Sequence, residues 1–285
     1  MQNLTWFPFS VAATIFFGIA MAFYKLPAAK NHSKYAVSFW QLFIAFILSF
    51  IVFYGFIPLT NIATIIYGSL WGFAFLCLSL LQMKALKEVD TNMLYPITTS
   101  LSLVTSVLFG IMFFKDHLSW LQIIGMLLVI TVVYLFSYKG KKLQYSNEIL
   151  VIGLGIIFLS AFGKIIQKFA TNNVDIHALQ IYQYLSAALF SLILYSFIHR
   201  KEFKKHLFSH SFTSGLMIAV PSFLGGYMWL LALTKGPFSL AASIHSLYII
   251  ITAIVAYFAF KEKLTWEKMF LISLAVLAMI LIRIG

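Results

Sequence analysis

Of 285 residues, 62% are hydrophobic and 10% are charged, with 30 phenylalanines and a mean hydropathy of +0.95, whereas charged residues make up about a quarter of a soluble domain. That balance excludes a soluble globular protein and predicts an all-α membrane protein. The formal net charge of +12 is spread through short connections without a basic block or a recognition helix, so it argues membrane topology and not nucleic acid as a partner.

The N-terminus lacks the basic region and small-residue cleavage site of a signal peptide, so its apolar run reads as a retained helix. Spanning hydrocarbon about 30 Å thick takes roughly 20 apolar residues. On that ruler the chain divides into ten segments: 5–24, 36–57, 62–82, 93–113, 121–138, 149–170, 178–198, 212–233, 240–259 and 269–284. The one cysteine, Cys77, lies in the third, which leaves no disulfide framework and no thiolate metal site. No cofactor is expected.

Between the fourth and fifth segments stands Phe114-Lys115-Asp116-His117-Leu118-Ser119-Trp120. Between the ninth and tenth stands its near copy, Phe260-Lys261-Glu262-Lys263-Leu264-Thr265-Trp266, 146 positions on. Soluble repeats recur about every 20 to 50 residues, whereas half-length duplication of apolar helices is the internal symmetry of secondary transporters. Each half, residues 1–142 and 143–285, holds five segments, and an odd number sends the second copy into the membrane from the opposite side. The expected architecture is ten transmembrane helices arranged as two inverted five-helix repeats. The connections that follow the odd-numbered segments carry 15 lysines and arginines, including Lys25, Lys84, Lys139, Arg200 and Lys261; the other face has Lys115, Lys168, Lys235 and Arg283. By the positive-inside rule the rich face is cytoplasmic and both termini are external, in a multi-pass protein of the plasma membrane, the inner membrane of a prokaryote.

On Asp116 and Glu262, each in a short connection between two apolar helices, the chain resembles the drug/metabolite transporter superfamily, most closely its ten-helix EamA-like members. The stretch from Tyr95-Pro96-Ile97 through Trp120 to Gly125-Met126 is similar to the last two helices of the small multidrug resistance family. The resemblance implies a substrate cavity between two five-helix bundles, lined mainly by helices 1, 3, 4, 6, 8 and 9, with alternating access, and it implies substrate contact for Tyr95. Two features depart from the pattern. Ten-helix members commonly hold both termini in the cytoplasm, the reverse of the basic-residue count. The first segment also lacks the glutamate of the small multidrug resistance pattern, which disfavours drug-cation antiport by that route.

Ionisable groups inside the bilayer are expensive and mark function. All eight acids fall at or beyond segment ends, so none serves as a mid-membrane proton carrier. Lys164 and His245 lie well inside the sixth and ninth segments, each about 12 Å from the same face at the helical rise. Tyr227 of the eighth segment, and Tyr182 with Gln183 of the seventh, fall in or near that layer. A cation, an imidazole and phenols at one depth suit a carboxylate or phosphate on a substrate. The alternatives are snorkelling or structural pairing for Lys164 and a satisfied interhelical hydrogen bond for His245. Lys25 and Lys168 sit nearer segment ends and read as interfacial anchors.

Tyr95, Thr99, Ser102 and Ser106 share one face of the fourth segment, and the repeat offset maps them onto Ala241, His245, Tyr248 and Thr252. Paired stripes of this kind either line the interface between repeats, where inverted-repeat transporters bind substrate, or pack helices closely. Trp71 and Trp229 are candidates for stacking on a substrate or closing a gate. Gly18 and Gly163, each after a phenylalanine at matching places, mark bends or close approaches. The basic connection holding His199, His206 and His210 lacks a third ligand near its four-residue His pair, so it reads as a solvated loop at lipid headgroups and not as a metal site.

The expected function is a secondary transporter or facilitator of a small polar metabolite, amino-acid-like or an organic anion, working by alternating access. Export of amphipathic, lipid-linked or cationic compounds is the alternative, followed by a non-transporting membrane subunit. An enzyme would need a nucleophile, metal or acid pair inside the bilayer, and the sequence places none there. The partners are the small-molecule substrate and the lipid bilayer; oligomeric state is not indicated.

Overall fold

The computed structural model describes residues 5–89, 91–138, 147–198, 211–262 and 265–285. The connections at 139–146 and 199–210, with Lys139, Arg200 and the three histidines His199, His206 and His210, lie outside the described residues. The described residues form α1 (Trp6–Phe23), α2 (Lys34–Phe53), α3 (Ile62–Ala85), α4 (Thr91–Met112), α5 (Trp120–Tyr138), α6 (Asn147–Asn173), α7 (Ile176–Ile198), α8 (Ser211–Lys235), α9 (Phe238–Ser246), α10 (Tyr248–Phe260) and α11 (Trp266–Ile284). A helix stands at each of the ten expected segments. Among the described residues, seven runs are long and apolar enough to cross a membrane, and two shorter apolar helices, Thr98–Met112 and Trp120–Leu135, accompany them. The chain is an all-α, multi-pass membrane protein.

Burial is arranged for lipid. Ile51, Ile62, Phe73, Phe158 and Phe197 face outward, while Ser38, Gln41, Ser79, Gln180 and Ser186 are buried. In hydrocarbon the apolar surface gains nothing by hiding, so helices associate through small residues and internal hydrogen bonds. The contact of α3 with α7 shows this: Gly68 and Gly72 lie against the backbone around Gln183, and the Ser186 hydroxyl donates to the Gly68 carbonyl at 3.0 Å. Further contacts set α1 on α8 and α10, α2 on α7 and α8, α3 on α6, α4 on α6 and α9, and α5 on α11. At the end of α3, Lys84 pairs with Glu148 in the first turn of α6, and the ammonium holds that carboxyl below the ordinary carboxylate range. The pair is exposed and adds little.

The repeated heptad is a helix stop in both copies. Lys115 and Lys261 take left-handed backbone conformations, with φ of 53° and 56°. The next N–H reaches back six residues, from Asp116 to the Gly110 carbonyl at 3.1 Å and from Glu262 to the Ala256 carbonyl at 3.3 Å. This is a left-handed closure of a helix C-terminus, one residue wider than the 6→1 bond of a Schellman motif. Ser119 and Gln122 then open α5 as a capping box, each backbone N–H donating to the other's side chain. Trp120 and Trp266 stand exposed at the starts of α5 and α11, the place of interfacial anchors.

After that shared closure the two acids serve different partners. Glu262 pairs with Lys25 at 2.6 Å. Asp116 Oδ2 accepts from the Ser239 N–H and hydroxyl, both at 2.7 Å, and so caps the positive end of α9. Asp116→Ala is expected to lower the unfolding free energy by about 2 kcal/mol, against about 1 kcal/mol for Ser239→Ala, which leaves the backbone bond in place. Unfolding in mixed micelles of rising SDS content, followed by tryptophan fluorescence, measures both.

The segment expected at 240–259 is one apolar span, Phe238–Phe260, whose helix is broken at Leu247 into α9 and α10. Helix α9 ends at Ser246; the Leu247 N–H bonds the Ile244 carbonyl and the Ile250 N–H bonds the Leu247 carbonyl, both at 3.0 Å. These three-residue closures tighten the chain between α9 and α10. The Thr14 hydroxyl of α1 also donates to the Ile244 carbonyl, at 3.0 Å. A break inside hydrocarbon survives only where its backbone groups find protein partners, and Thr14 is one.

Candidate functional site

Residues of five helices close a ring around that break. Lys164 Nζ of α6 reaches Ser102 Oγ of α4 at 3.5 Å, and Ser102 Oγ donates to Ser160 Oγ at 3.1 Å. One turn before Ser102, the Thr99 hydroxyl shares a 2.7 Å hydrogen bond with the Tyr248 hydroxyl of α10. The Tyr248 ring stands 5.5 Å from the His245 ring of α9, which lies 4.6 Å from Trp229 of α8 at an interplanar angle of 30°. Trp229 Nε1 donates to Gln167 Oε1 at 3.0 Å, and Gln167 is one turn beyond Lys164 on the same face of α6. The circuit thus returns to the lysine. Phe17 of α1 meets His245 edge-on at 4.8 Å.

Burial excludes one reading of Lys164. Lys164 is 7% exposed and His245 6%, so Lys164 does not snorkel. Among the described residues no carboxylate lies within ion-pairing distance of Lys164, and His245 Nδ1 and Trp71 Nε1 are buried without hydrogen-bond partners.

Six of the expected site residues come together here: Lys164, His245, Tyr248, Thr99, Ser102 and Trp229. Trp71 adjoins them, stacked on Phe75 at 5.5 Å and lying across Gly163, where a Cβ would overlap its six-membered ring. Tyr95 also adjoins, its ring 6.2 Å from Tyr248, but its hydroxyl donates to the Met21 carbonyl at 3.0 Å. Tyr227 is placed elsewhere: its hydroxyl pairs with His177 Nε2 at 3.1 Å and its ring lies 4.8 Å from Phe53. Two residues from Trp229, it points away from the ring although it shares the depth. Tyr182 belongs to the contact with Gly68 on α3. Of the two lysines nearer the segment ends, Lys25 pairs with Glu262, and Lys168 donates to the Leu233 and Gly236 carbonyls at the end of α8, at 2.6 and 3.3 Å.

Gln167, Ser160, Phe17 and Thr14 are members that the residue pattern did not single out. The first two carry a signal: Ser160, Lys164 and Gln167 are spaced by four and three, the rule that picks out the stripe on α4. Phe17 is one of 30 phenylalanines, and Thr14 also bonds the Ser10 carbonyl of its own helix. Neither differs in sequence from ordinary packing.

Comparison with known proteins gives three findings. The family model described as a sugar transport protein matches residues 11–284. "Probable glucose uptake protein GlcU" of Staphylococcus aureus, strains Mu50 and N315, is 30% identical over 113 residues, which is 38% of this chain and 38% of the length of each relative. A solved crystal structure superposes with a TM-score of 0.71 at 13% identity, covering 95% of this chain and 96% of the other, and so shares the fold. The sugar-transport match overturns the expected EamA-like membership in the drug/metabolite transporter superfamily. The residues that carried that resemblance, Asp116 and Glu262, sit in helix-stop closures, a device of helix connection that does not distinguish one family from another.

Proposed function

The chain belongs to the sugar transport protein family, and on that premise we propose that it is a secondary transporter or facilitator that takes a sugar across the plasma membrane by alternating access. The observation that carries the reading is the ring: polar groups and aromatic faces from five helices converge, buried, where a membrane helix is interrupted. Interrupted helices accompany substrate sites in transporters, and aromatic walls with a few fixed polar groups suit a small ligand. The name of the Staphylococcus relatives supports a sugar as that ligand.

The moving bodies are two inverted five-helix repeats, residues 1–142 and 143–285. The left-handed helix closures 146 residues apart support this, and so does the packing, which keeps its pattern when the halves are exchanged: α1 on α8 answers α6 on α3, and α2 on α8 answers α7 on α3. Lys25 with Glu262 ties one end, and Asp116 with Ser239 ties the other. Opening either side for loading or release parts one tie.

Purified protein in liposomes should take up radiolabelled D-glucose or another hexose or pentose with saturation and competition by unlabelled sugar. A flat response across the sugars, with uptake of amino acids instead, would remove the proposal.

A further inference from the structure

We infer that the sugar accepted at this ring carries an acidic group, a carboxylate or a phosphate, held by Lys164; the inference rests on the transport reading above. Lys164 is enclosed by protein, and among the described residues its one hydrogen bond is the 3.5 Å contact with Ser102 Oγ. An ammonium has three donors and no acceptor, and an enclosed charge without a counter-charge is among the costliest features a membrane protein can hold. Among the described residues no carboxylate supplies that counter-charge.

Two ring nitrogens on side chains of this neighbourhood are buried without hydrogen-bond partners. Trp71, whose Nε1 is an unused donor, lies across Gly163, the residue before Lys164. His245 Nδ1 is also unused and donates or accepts according to tautomer. A neutral hexose brings hydroxyls that donate as often as they accept and leaves the charge uncompensated. A carboxylate or phosphate brings acceptors alone and a negative charge, and it forms the stronger, charge-assisted bonds. Trp229, against His245, offers the carbon skeleton an aromatic wall.

The test is competition in liposomes holding the purified protein, with radiolabelled D-glucose, D-glucuronate and D-glucose 6-phosphate each used as label and as competitor. At least one acidic sugar should bind about tenfold or more tightly than D-glucose, the size of one added charge-assisted bond; which of the two wins separates carboxylate from phosphate. In Lys164→Gln the ratio should fall to near one, and Lys164→Arg should restore part of it, with melting temperatures confirming that both variants fold. If wild-type protein binds both acidic sugars no better than D-glucose, the acidic-group inference is overturned and sugar transport stands. If none of the three sugars, and none of the other hexoses and pentoses of the uptake panel, is bound or carried, both are overturned. The wild-type comparison needs no variant to fold, and an unchanged ratio in folded Lys164→Gln would remove the lysine from the role assigned to it.

Discussion

Trp229→Ala is expected to cut sugar uptake by at least about tenfold, the loss of about 1.4 kcal/mol of binding, and to lower the unfolding free energy by about 3 kcal/mol or more. The indole is 2% exposed and stands between α6 and α9, its Nε1 on Gln167 and its face toward His245. Truncation empties that space and leaves the Gln167 oxygen without its donor. In a bilayer the cost comes as lost packing contacts and an unpaired polar atom, since lipid tails are as apolar as the core. Trp229→Phe separates the two causes, because it keeps most of the volume and loses only the donor, at about 1 to 3 kcal/mol. Uptake into liposomes and SDS-driven unfolding followed by circular dichroism are the measurements. Wild-type uptake by folded Trp229→Ala would take the tryptophan out of the site.

Gly18→Val should part α1 from α10 and cost about 3 kcal/mol, the upper range for overpacking. A Cβ at Gly18 would overlap Ile251 Cβ and stand 2.8 Å from the Tyr248 carbonyl. Neither is the far end of a flexible side chain, so relief requires the helices to move. The same approach lets Thr252 Oγ1 donate to the Gly18 carbonyl at 3.0 Å, and it sets Tyr248 where its hydroxyl meets Thr99. Uptake should therefore fall together with stability. Gly153→Ala is the control: a Cβ there meets nothing within 4 Å, and inside α6 the change should cost nothing and gain up to about 1 kcal/mol of helix propensity. Equal losses in the two variants, in the same SDS titration, would show that close packing at Gly18 does not hold α1 on α10.

Much of the fold was legible because hydrocarbon makes local rules binding. An apolar run of about 20 residues that cannot hydrogen-bond to its solvent must bond within itself, so each run becomes a helix whatever its neighbours are. The heptad at Phe114 and Phe260 was legible as a duplication, and the helix before it closes in the same way in both places, through a left-handed lysine and the N–H that follows it, because that closure is made by residues close in sequence. What each acid then binds was not legible, since Ser239 and Lys25 are brought to Asp116 and Glu262 by packing. The family was misjudged on those same two acids.

Among the site residues, Lys164 and His245 could be found from composition alone, because an ionisable group far from a segment end stands out against apolar neighbours. Depth along a helix is linear in sequence, and it brought Tyr227 into the layer; direction around the helix relative to its neighbours is not, and it sent Tyr227 to His177 while turning Trp229 to His245. The break at Leu247 has no glycine or proline to announce it. Sequence by itself determined the membrane, the helices, their stops and the two interior bases, since these follow from the cost of exposing backbone or charge to lipid. Only tertiary structure decided the ring, its unpaired donors and the interrupted helix, because each depends on groups far apart in the chain, Thr14 with Ile244 and Thr99 with Tyr248, meeting across helices.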